Sequence, residues 1–344
     1  MPRVGILTGG GDCPGLNGVI RGAVRRGILE EGNTFVGFRR GWAGVLEDDW
    51  IELDRRATSG ILPRGGTILG SSRTNPFAGG ADGAALVTAA LERNGIDALI
   101  PVGGDDTLGV AQRLHEAGVP VVGVPKTIDN DLGGTDMTFG FQTAVQIVSD
   151  AIDRLHTTAE SHNRVMIVEV MGRGAGWIAT HAGMSGGADA ILVPERPFDI
   201  DALVAQLRRR HDRGRTFSIL VVSEGATPRG GQLQTRAPTV DAFGHERLGG
   251  IGAALEVEIE HHTGYESRAT ILGHVQRGGT PVAFDRVLAT RFGVAAMDAV
   301  AAGSFGTMVA LRGTDIIEVP LTEALREPKL LDPALYETAE LFFG

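Results

Sequence analysis

Lysine is nearly missing from this chain. Only Lys126 and Lys329 carry an ammonium among 32 basic residues, so arginine supplies almost all of the positive charge. So rare a residue is informative where it stands, because an ammonium is a compact, mobile point charge and a guanidinium is a rigid planar fork. Cysteine is scarcer still. Cys13 alone cannot close an internal disulfide, which excludes a bridged secreted scaffold and fits a reducing compartment. No apolar run approaches the ~18–20 residues of a membrane-spanning helix, and the opening MPRVGILTGGG is too short in apolar residues for a secretory signal. The expectation is a soluble, cytoplasmic protein. Positive charge is also in deficit overall: the formal net charge of −10 argues against a broad nucleic-acid or anionic-membrane footprint. Any phosphate site must therefore be built locally.

What is present is a long series of short apolar runs ending in glycine or acid. They are VGILT (4–8), DALIPV (97–102), VPVVGVP (119–125), RVMIVEV (164–170), FSILVVS (217–223), RATILGH (268–274) and TMVALRG (307–313). None alternates cleanly with period two, which is how strands buried on both faces of a parallel sheet read. Helical patterns lie between them, including 84–95, stopped by Asn94-Gly95, and 106–118, stopped by Gly118. Strands alternating with helices predict an α/β fold of doubly wound βαβ units. Two such sheets are expected, one from the first half and one from the middle, with later segments returning to the first. The polar, turn-rich stretch 226–250 reads as a surface excursion.

In such sheets ligands gather at the carboxyl ends of strands, where helix N-termini offer free N–H groups to anions. TGGGDCPGLN (8–17) fits a phosphate-approach loop between a strand and a helix, and GGTILGSSRTNP (65–76) adds Arg73 as a candidate clamp. Neither is a P-loop, since G-x-x-x-x-G-K-[ST] is absent. GGIGAAL (249–255) imitates a dinucleotide fingerprint but follows HERLG, and is not read as a cofactor site. The acid-rich loops GGDDT (103–107) and PKTIDND (125–131) are the sharpest signal. They place Asp105, Asp106, Asp129 and Asp131 with Lys126 at neighbouring strand tips, where bare carboxylates would repel one another without a cation or a transferable proton. Asp105 suits a magnesium ion held largely through water, and Asp129 suits a base for a substrate hydroxyl with Asp131 in support. Downstream, Arg164, Arg173, Glu224, Arg268, His274 and Arg277 offer the mixture of arginine, acid and imidazole that a sugar phosphate requires. Cys13 reads as a small loop filler.

These motifs assemble into a resemblance. GGGDCPGLN, LGSSRTNP, GGDDT, PKTIDND, MGRGAGW, SEGA and LGHVQRGGTPVAFDR occur in the order found in the phosphofructokinase family, over nearly the full length, and the chain is most similar to its pyrophosphate-using bacterial members. The resemblance implies two Rossmann-like lobes with the active site in the crevice between them. Residues 1–141 plus about 276–325 would form the donor lobe, and 142–275 plus about 326–344 the fructose 6-phosphate lobe. It implies transfer of a phosphoryl group to the 1-hydroxyl of fructose 6-phosphate, with Asp129 as proton acceptor and Lys126, Asp106 and Arg173 also in catalysis. Gly10, Gly11, Arg73, Asp105, Asp106 and Thr107 match the donor positions, with Mg²⁺ on Asp105. Thr127, Ile128, Asp131, Met171, Gly172, Glu224, His274, Val275, Gln276 and Arg277 match the substrate positions. Arg164 and Arg268 match arginines that reach a neighbouring subunit's site, so a dimer at least, and a tetramer by resemblance, is implied. ATP-using relatives usually have glycine at Asp106 and often at Lys126, so the pair points to pyrophosphate, with Asp106 the discriminator because some ATP-using relatives also carry lysine at Lys126. An ATP-dependent enzyme and a non-catalytic sugar-phosphate-binding subunit are the alternatives.

Overall fold

The computed structural model describes residues 2–30, 32–80, 82–231, 239–240, 246–247 and 250–344. Much of the polar stretch 226–250 thus lies outside the described residues. The strands are β1 (Arg3–Thr8), β2 (Thr34–Phe38), β3 (Trp50–Glu52), β4 (Ala98–Gly103), β5 (Val122–Pro125), β6 (Val165–Val170), β7 (Ala190–Leu192), β8 (Ser218–Ser223), β9 (Thr239–Val240), β10 (Glu246–Arg247), β11 (Ser267–Ile271), β12 (Thr307–Arg312) and β13 (Asp315–Pro320). The helices are α1 (Leu16–Glu30), α2 (Trp42–Glu47), α3 (Gly83–Arg93), α4 (Asp105–Glu116), α5 (Phe141–His162), α6 (Trp177–Ser185), α7 (Ile200–Asp212), α8 (Ile251–Thr263), α9 (Ala283–Ala302), α10 (Leu321–Ala324) and α11 (Pro333–Glu340). The fold is α/β, as the alternation of patterns predicts.

The chain divides into two compact units. The first comprises Met1–Ile128, Leu132–Thr143 and Arg277–Pro328, and the second Asp129–Asp131, Ala144–Gln276 and Lys329–Gly344. The first unit holds a seven-stranded sheet in the order β13-β12-β5-β4-β1-β2-β3. Its inner strands pair in parallel, while β3 and β13 close the two edges in antiparallel fashion. The six residues of β4 are all buried, which accounts for their unbroken apolar reading. Beside this sheet α1 and α9 approach until backbone meets backbone. A Cβ at Gly22 would lie 2.6 Å from the Thr290 carbonyl oxygen, and one at Gly293 would lie 2.2 Å from that of Val19. The contact fixes the start of α1, and with it the glycine loop that precedes it. The rings of Phe139 and Phe292 meet edge to face at 6.3 Å in the same core. Truncating the buried Phe292 to alanine removes that contact and costs ~3–5 kcal/mol.

The second unit holds a four-stranded parallel sheet ordered β11-β6-β8-β7. Both central strands are buried throughout. Ile200, Leu203, Val204 and Leu207 of α7 and Ile251, Leu255 and Ile259 of α8 pack in one core with Val165, Ile167, Leu220 and Val222 of the sheet. These helical residues recur at i, i+3, i+4 and i+7 or i, i+4 and i+8, so each helix buries one stripe.

Candidate active site

The first unit brings three strand tips together. After β1, Gly9 donates to the Val102 carbonyl at 2.9 Å and Gly10 to that of Ser72 at 3.1 Å, while Ser71 Oγ returns a bond to Gly10 O. The stretch carrying Arg73 is thereby tied to the glycine loop, with Arg73 itself exposed. Gly10 has φ 76°, a left-handed value that glycine adopts at no steric cost. Space is short at Gly9, where a Cβ would stand 2.5 Å from Thr107 Oγ1, whereas one at Gly10 would meet Lys126 Nζ at an ordinary contact distance of 3.5 Å.

Lys126 continues β5, its N–H donating to Gly103 O of the neighbouring strand at 2.9 Å. Its side chain is 3% exposed and its ammonium donates to Gly11 O at 2.5 Å. Buried lysine is rare without such a partner. Asp105 and Asp106 occupy the first turn of α4, where their charge suits the helix dipole; Asp105 is exposed and Asp106 half-buried, while Thr107 is buried. Thr127 is half-buried, its carbonyl accepting from Thr138 Oγ1 at 2.7 Å, and Ile128 is fully buried. Arg277 also belongs to the first unit. Its guanidinium donates to Asp12 O at 3.3 Å, and a Cβ at Gly11 would fall 2.7 Å from it. Two cations therefore converge on residues 11 and 12.

The second unit stitches together the carboxyl ends of β6, β8 and β11. Met171 donates its N–H to Gln276 Oε1 at 3.2 Å, and Gln276 Nε2 donates to Gly273 O at 3.0 Å. Ser223 Oγ and Gly225 N both donate to Gly172 O, at 2.6 and 3.2 Å, and Glu224 N donates to Val170 O at 2.8 Å. Gly172 has φ 136°, and a Cβ there would sit 2.5 Å from Ser223 Oγ, so no other residue fits. Met171, Gly172, Arg173, Glu224, His274, Val275 and Gln276 thus cluster at three adjacent strand tips. Arg173, His274 and Val275 are exposed and Gln276 is buried. Asp129, Asn130 and Asp131 belong to this unit. Asn130 has φ 54° and Asp131 O accepts from Lys329 N at 2.8 Å.

Arg164 and Arg268 are not brought to these tips. Arg164 precedes β6 and Arg268 is the second residue of β11, so both lie at the amino ends of the strands. At ~3.3 Å per residue, about 20 Å of sheet separates Arg164 from Met171. Both guanidinium groups bond the same oxygen, Glu266 Oε1, at 2.7 Å each, and Arg268 also reaches Glu260 at 3.1 Å. The hydrogen bond from Arg164 holds the Glu266 carboxyl below the usual range.

Several groups are structural. The Cys13 thiol is fully buried and pushed up to about 12 by burial, which leaves it protonated and inert. Asp285 is buried and accepts from Thr143 N and Oγ1 at 2.7 and 2.5 Å; burial raises its carboxyl, and it pins the start of α5. The buried Glu169 carboxylate takes the N–H groups of Gly250 and Gly252 at 3.2 and 2.8 Å. That uses the N-terminus of α8 internally, so the described part of GGIGAAL is not open to a phosphate. Among the described residues no group of three or more His, Cys, Asp or Glu is arranged to hold a metal. A lone exposed Asp105 does fit magnesium, which keeps several waters and takes its remaining oxygens from substrate phosphates. Sequence reasoning gave no role to Lys329 or Trp177. The rarity that marks Lys126 marks Lys329 equally, and it was the available signal.

The phosphofructokinase family model matches residues 3–300. The chain is 60% identical over 344 residues to a pyrophosphate–fructose 6-phosphate 1-phosphotransferase of Amycolatopsis mediterranei, covering 99% of this chain and 100% of that one. It is 55% identical over 338 residues to ATP-dependent 6-phosphofructokinase 3 of Streptomyces coelicolor, covering 98% and 99%. Its fold is similar to Pichia pastoris phosphofructokinase in the T-state, with a TM-score of 0.84 and 32% identity, covering 94% of this chain and 35% of that longer one.

Proposed function

The chain belongs to the phosphofructokinase family, and from that premise we propose that it transfers a phosphoryl group reversibly from pyrophosphate to the 1-hydroxyl of D-fructose 6-phosphate. The products are D-fructose 1,6-bisphosphate and phosphate. The observation that carries the donor choice is the Asp106 carboxylate in the first turn of α4, supported by the buried ammonium of Lys126 on the Gly11 carbonyl. A diphosphate lying on Gly10 and Gly11 puts its leaving phosphate beside that fixed cation, which neutralises charge as the bridging bond breaks. Asp106 supplies the exclusion: a carboxylate at the start of α4 repels the α-phosphate that a nucleotide would bring there. Arg73 and Thr107 complete the donor surroundings. A magnesium ion held through water by Asp105 would add further neutralisation of the phosphate oxygens.

On the acceptor side Asp129 takes the proton of the 1-hydroxyl, assistance worth ~10²–10⁴ in rate. Asp131, Thr127 and Ile128 shape the same loop. Arg173 stabilises charge on the moving phosphoryl group; Glu224 and His274 meet sugar hydroxyls; Met171, Gly172, Val275 and Gln276 form the surface beneath them; and Arg277 serves the sugar phosphate from its place beside Asp12. The transition state of such transfers is loose, so position and electrostatics carry the catalysis. Arg164 and Arg268 complete a neighbouring subunit's site, which makes the working enzyme a dimer at least and, in our reading, a homotetramer. No helix among the described residues is long and apolar enough to cross a membrane. We place the enzyme in the cytoplasm, in glycolysis and gluconeogenesis.

A second reading, ATP as donor, is favoured by the relatives named for it at 52–55% identity. Initial rates with fructose 6-phosphate, Mg²⁺ and either pyrophosphate or ATP decide between them. Turnover with pyrophosphate is expected. Turnover with ATP alone establishes the second reading, and binding of fructose 6-phosphate without turnover under either donor establishes a non-catalytic subunit.

A further inference from the structure

The loop that holds Asp129 and Asp131 is gripped from the C-terminal segment of the second unit. Lys329 donates its N–H to Asp131 O at 2.8 Å. Trp177 then holds Lys329 twice: its indole N–H donates to Lys329 O at 3.0 Å, and the ammonium lies 5.2 Å from the ring centroid. That geometry is a cation–π contact, for which tryptophan is the best of the aromatic residues. Two residues on, Leu331 donates to Glu195 Oε1 at 3.0 Å, and the same carboxylate accepts the N–H of Gly176, the residue before Trp177. Residues 329–331 are therefore fastened at two points to the start of α6. Trp177 also ends the run Met171–Trp177, whose first three residues stand at the tip of β6. One short segment thus carries both a wall of the acceptor side and the clamp on the catalytic loop. The Lys329 charge is felt nearby at His181, which lies 6.0 Å from Trp177 ring to ring.

We infer that Trp177 is a positioning residue for phosphoryl transfer: acting through Lys329, it fixes Asp131, and so the Asp129 carboxylate two residues away, in register with the loop at Met171–Arg173. The role assigned to Asp129 rests on the function proposed above. The clamp itself does not.

Three variants separate its parts. Trp177→Leu removes ring and donor, Trp177→Phe keeps a ring and loses the donor, and Lys329→Met keeps the backbone N–H to Asp131 and loses the cation. With whichever donor supports turnover, Trp177→Leu lowers kcat by about ten-fold or more, on the scale expected when a reacting group drifts by less than 1 Å. Its KM values for fructose 6-phosphate and donor stay within about two-fold, since binding groups are untouched. Trp177→Phe falls between it and the parent, and Lys329→Met stays closest to the parent. Amide hydrogen exchange of the unliganded protein reads the clamp without reference to any reaction. In Trp177→Leu the peptide containing Lys329 exchanges about ten-fold faster while the strands β6 and β8 remain protected. Unchanged exchange at Lys329 overturns the clamp, whatever the protein catalyses. Faster exchange with unchanged kcat, or a loss expressed only in KM, overturns its role in positioning. Faster exchange spread evenly over the second unit shows a general stabilising residue and overturns the inference as well. A parent without turnover would fail the proposed function alone, the exchange result still deciding the clamp.

Discussion

The ammonium of Lys126 donates to the main-chain carbonyl of Gly11 at 2.5 Å, from the tip of β5 to the loop after β1. This cation is fixed before any donor arrives, so it costs no reorganisation when charge develops. Lys126→Met should lower kcat/KM for pyrophosphate by ~10²–10³, the scale of one preorganised charge partner, with KM for fructose 6-phosphate little changed. Asp106→Gly should weaken pyrophosphate use and begin to admit ATP, more so when combined with Lys126→Gly. Steady-state rates with each donor varied in turn are the measurement. Full pyrophosphate activity in Asp106→Gly would remove the charge argument for donor choice.

Asp129→Ser tests the base. If Asp129 takes the hydroxyl proton, kcat falls by ~10²–10⁴ while KM values hold, because the lost interaction is made only as the proton moves. A variant turning over within a few-fold of the parent would assign the proton to another group.

How far these assignments were legible depended on how local each signal is. The strands β4, β6 and β8 were readable because six consecutive buried residues leave a nearly unbroken apolar run, with the buried Glu169 of β6 the one charged exception. The edge strands of the seven-stranded sheet were not: β3 is three residues long, and β13 is half exposed with no apolar run to mark it. At the site, GGDDT and PKTIDND announced themselves through acids at strand tips. Nothing in the order of residues reveals that Lys126 and Asp129, three positions apart, belong to different compact units. Nor does local pattern show that Arg277 lies against Asp12, which is 265 residues away. Such pairings are set by which strands neighbour one another, a property of the whole chain.

Arg164 and Arg268 give a test that requires two copies of the chain. Each lies at the amino end of its strand, on Glu266, far from the tips that carry Met171 and His274. Arg268→Ala and Asp129→Asn should each be nearly inactive alone. Dissociated, mixed in equal amounts and reassociated, they should regain about a quarter of parental activity, because half the pairs are hybrids and each hybrid pair holds one intact site. No recovery, with hybrids shown to form, would confine each site to a single chain.

The last prediction concerns pH. The His181 imidazole is held below its ordinary value, first by burial and then by the Lys329 ammonium. An unfolded histidine titrates near ~6.5, so below that pH the unfolded chain binds a proton that the folded chain resists. More protons on the unfolded state means that stability rises with pH and falls on acidification, beginning near ~6.5 and continuing down to the folded value. His181→Gln removes this term. Its melting temperature should therefore decline less than that of the parent between pH 7.5 and 5.5, although the two curves run parallel above that window. Lys329→Met should give an intermediate slope, since the larger cause, burial, remains when the ammonium is gone. Parallel melting curves for all three proteins down to pH 5.5 would show that His181 takes up its proton in the folded state as readily as in the unfolded one.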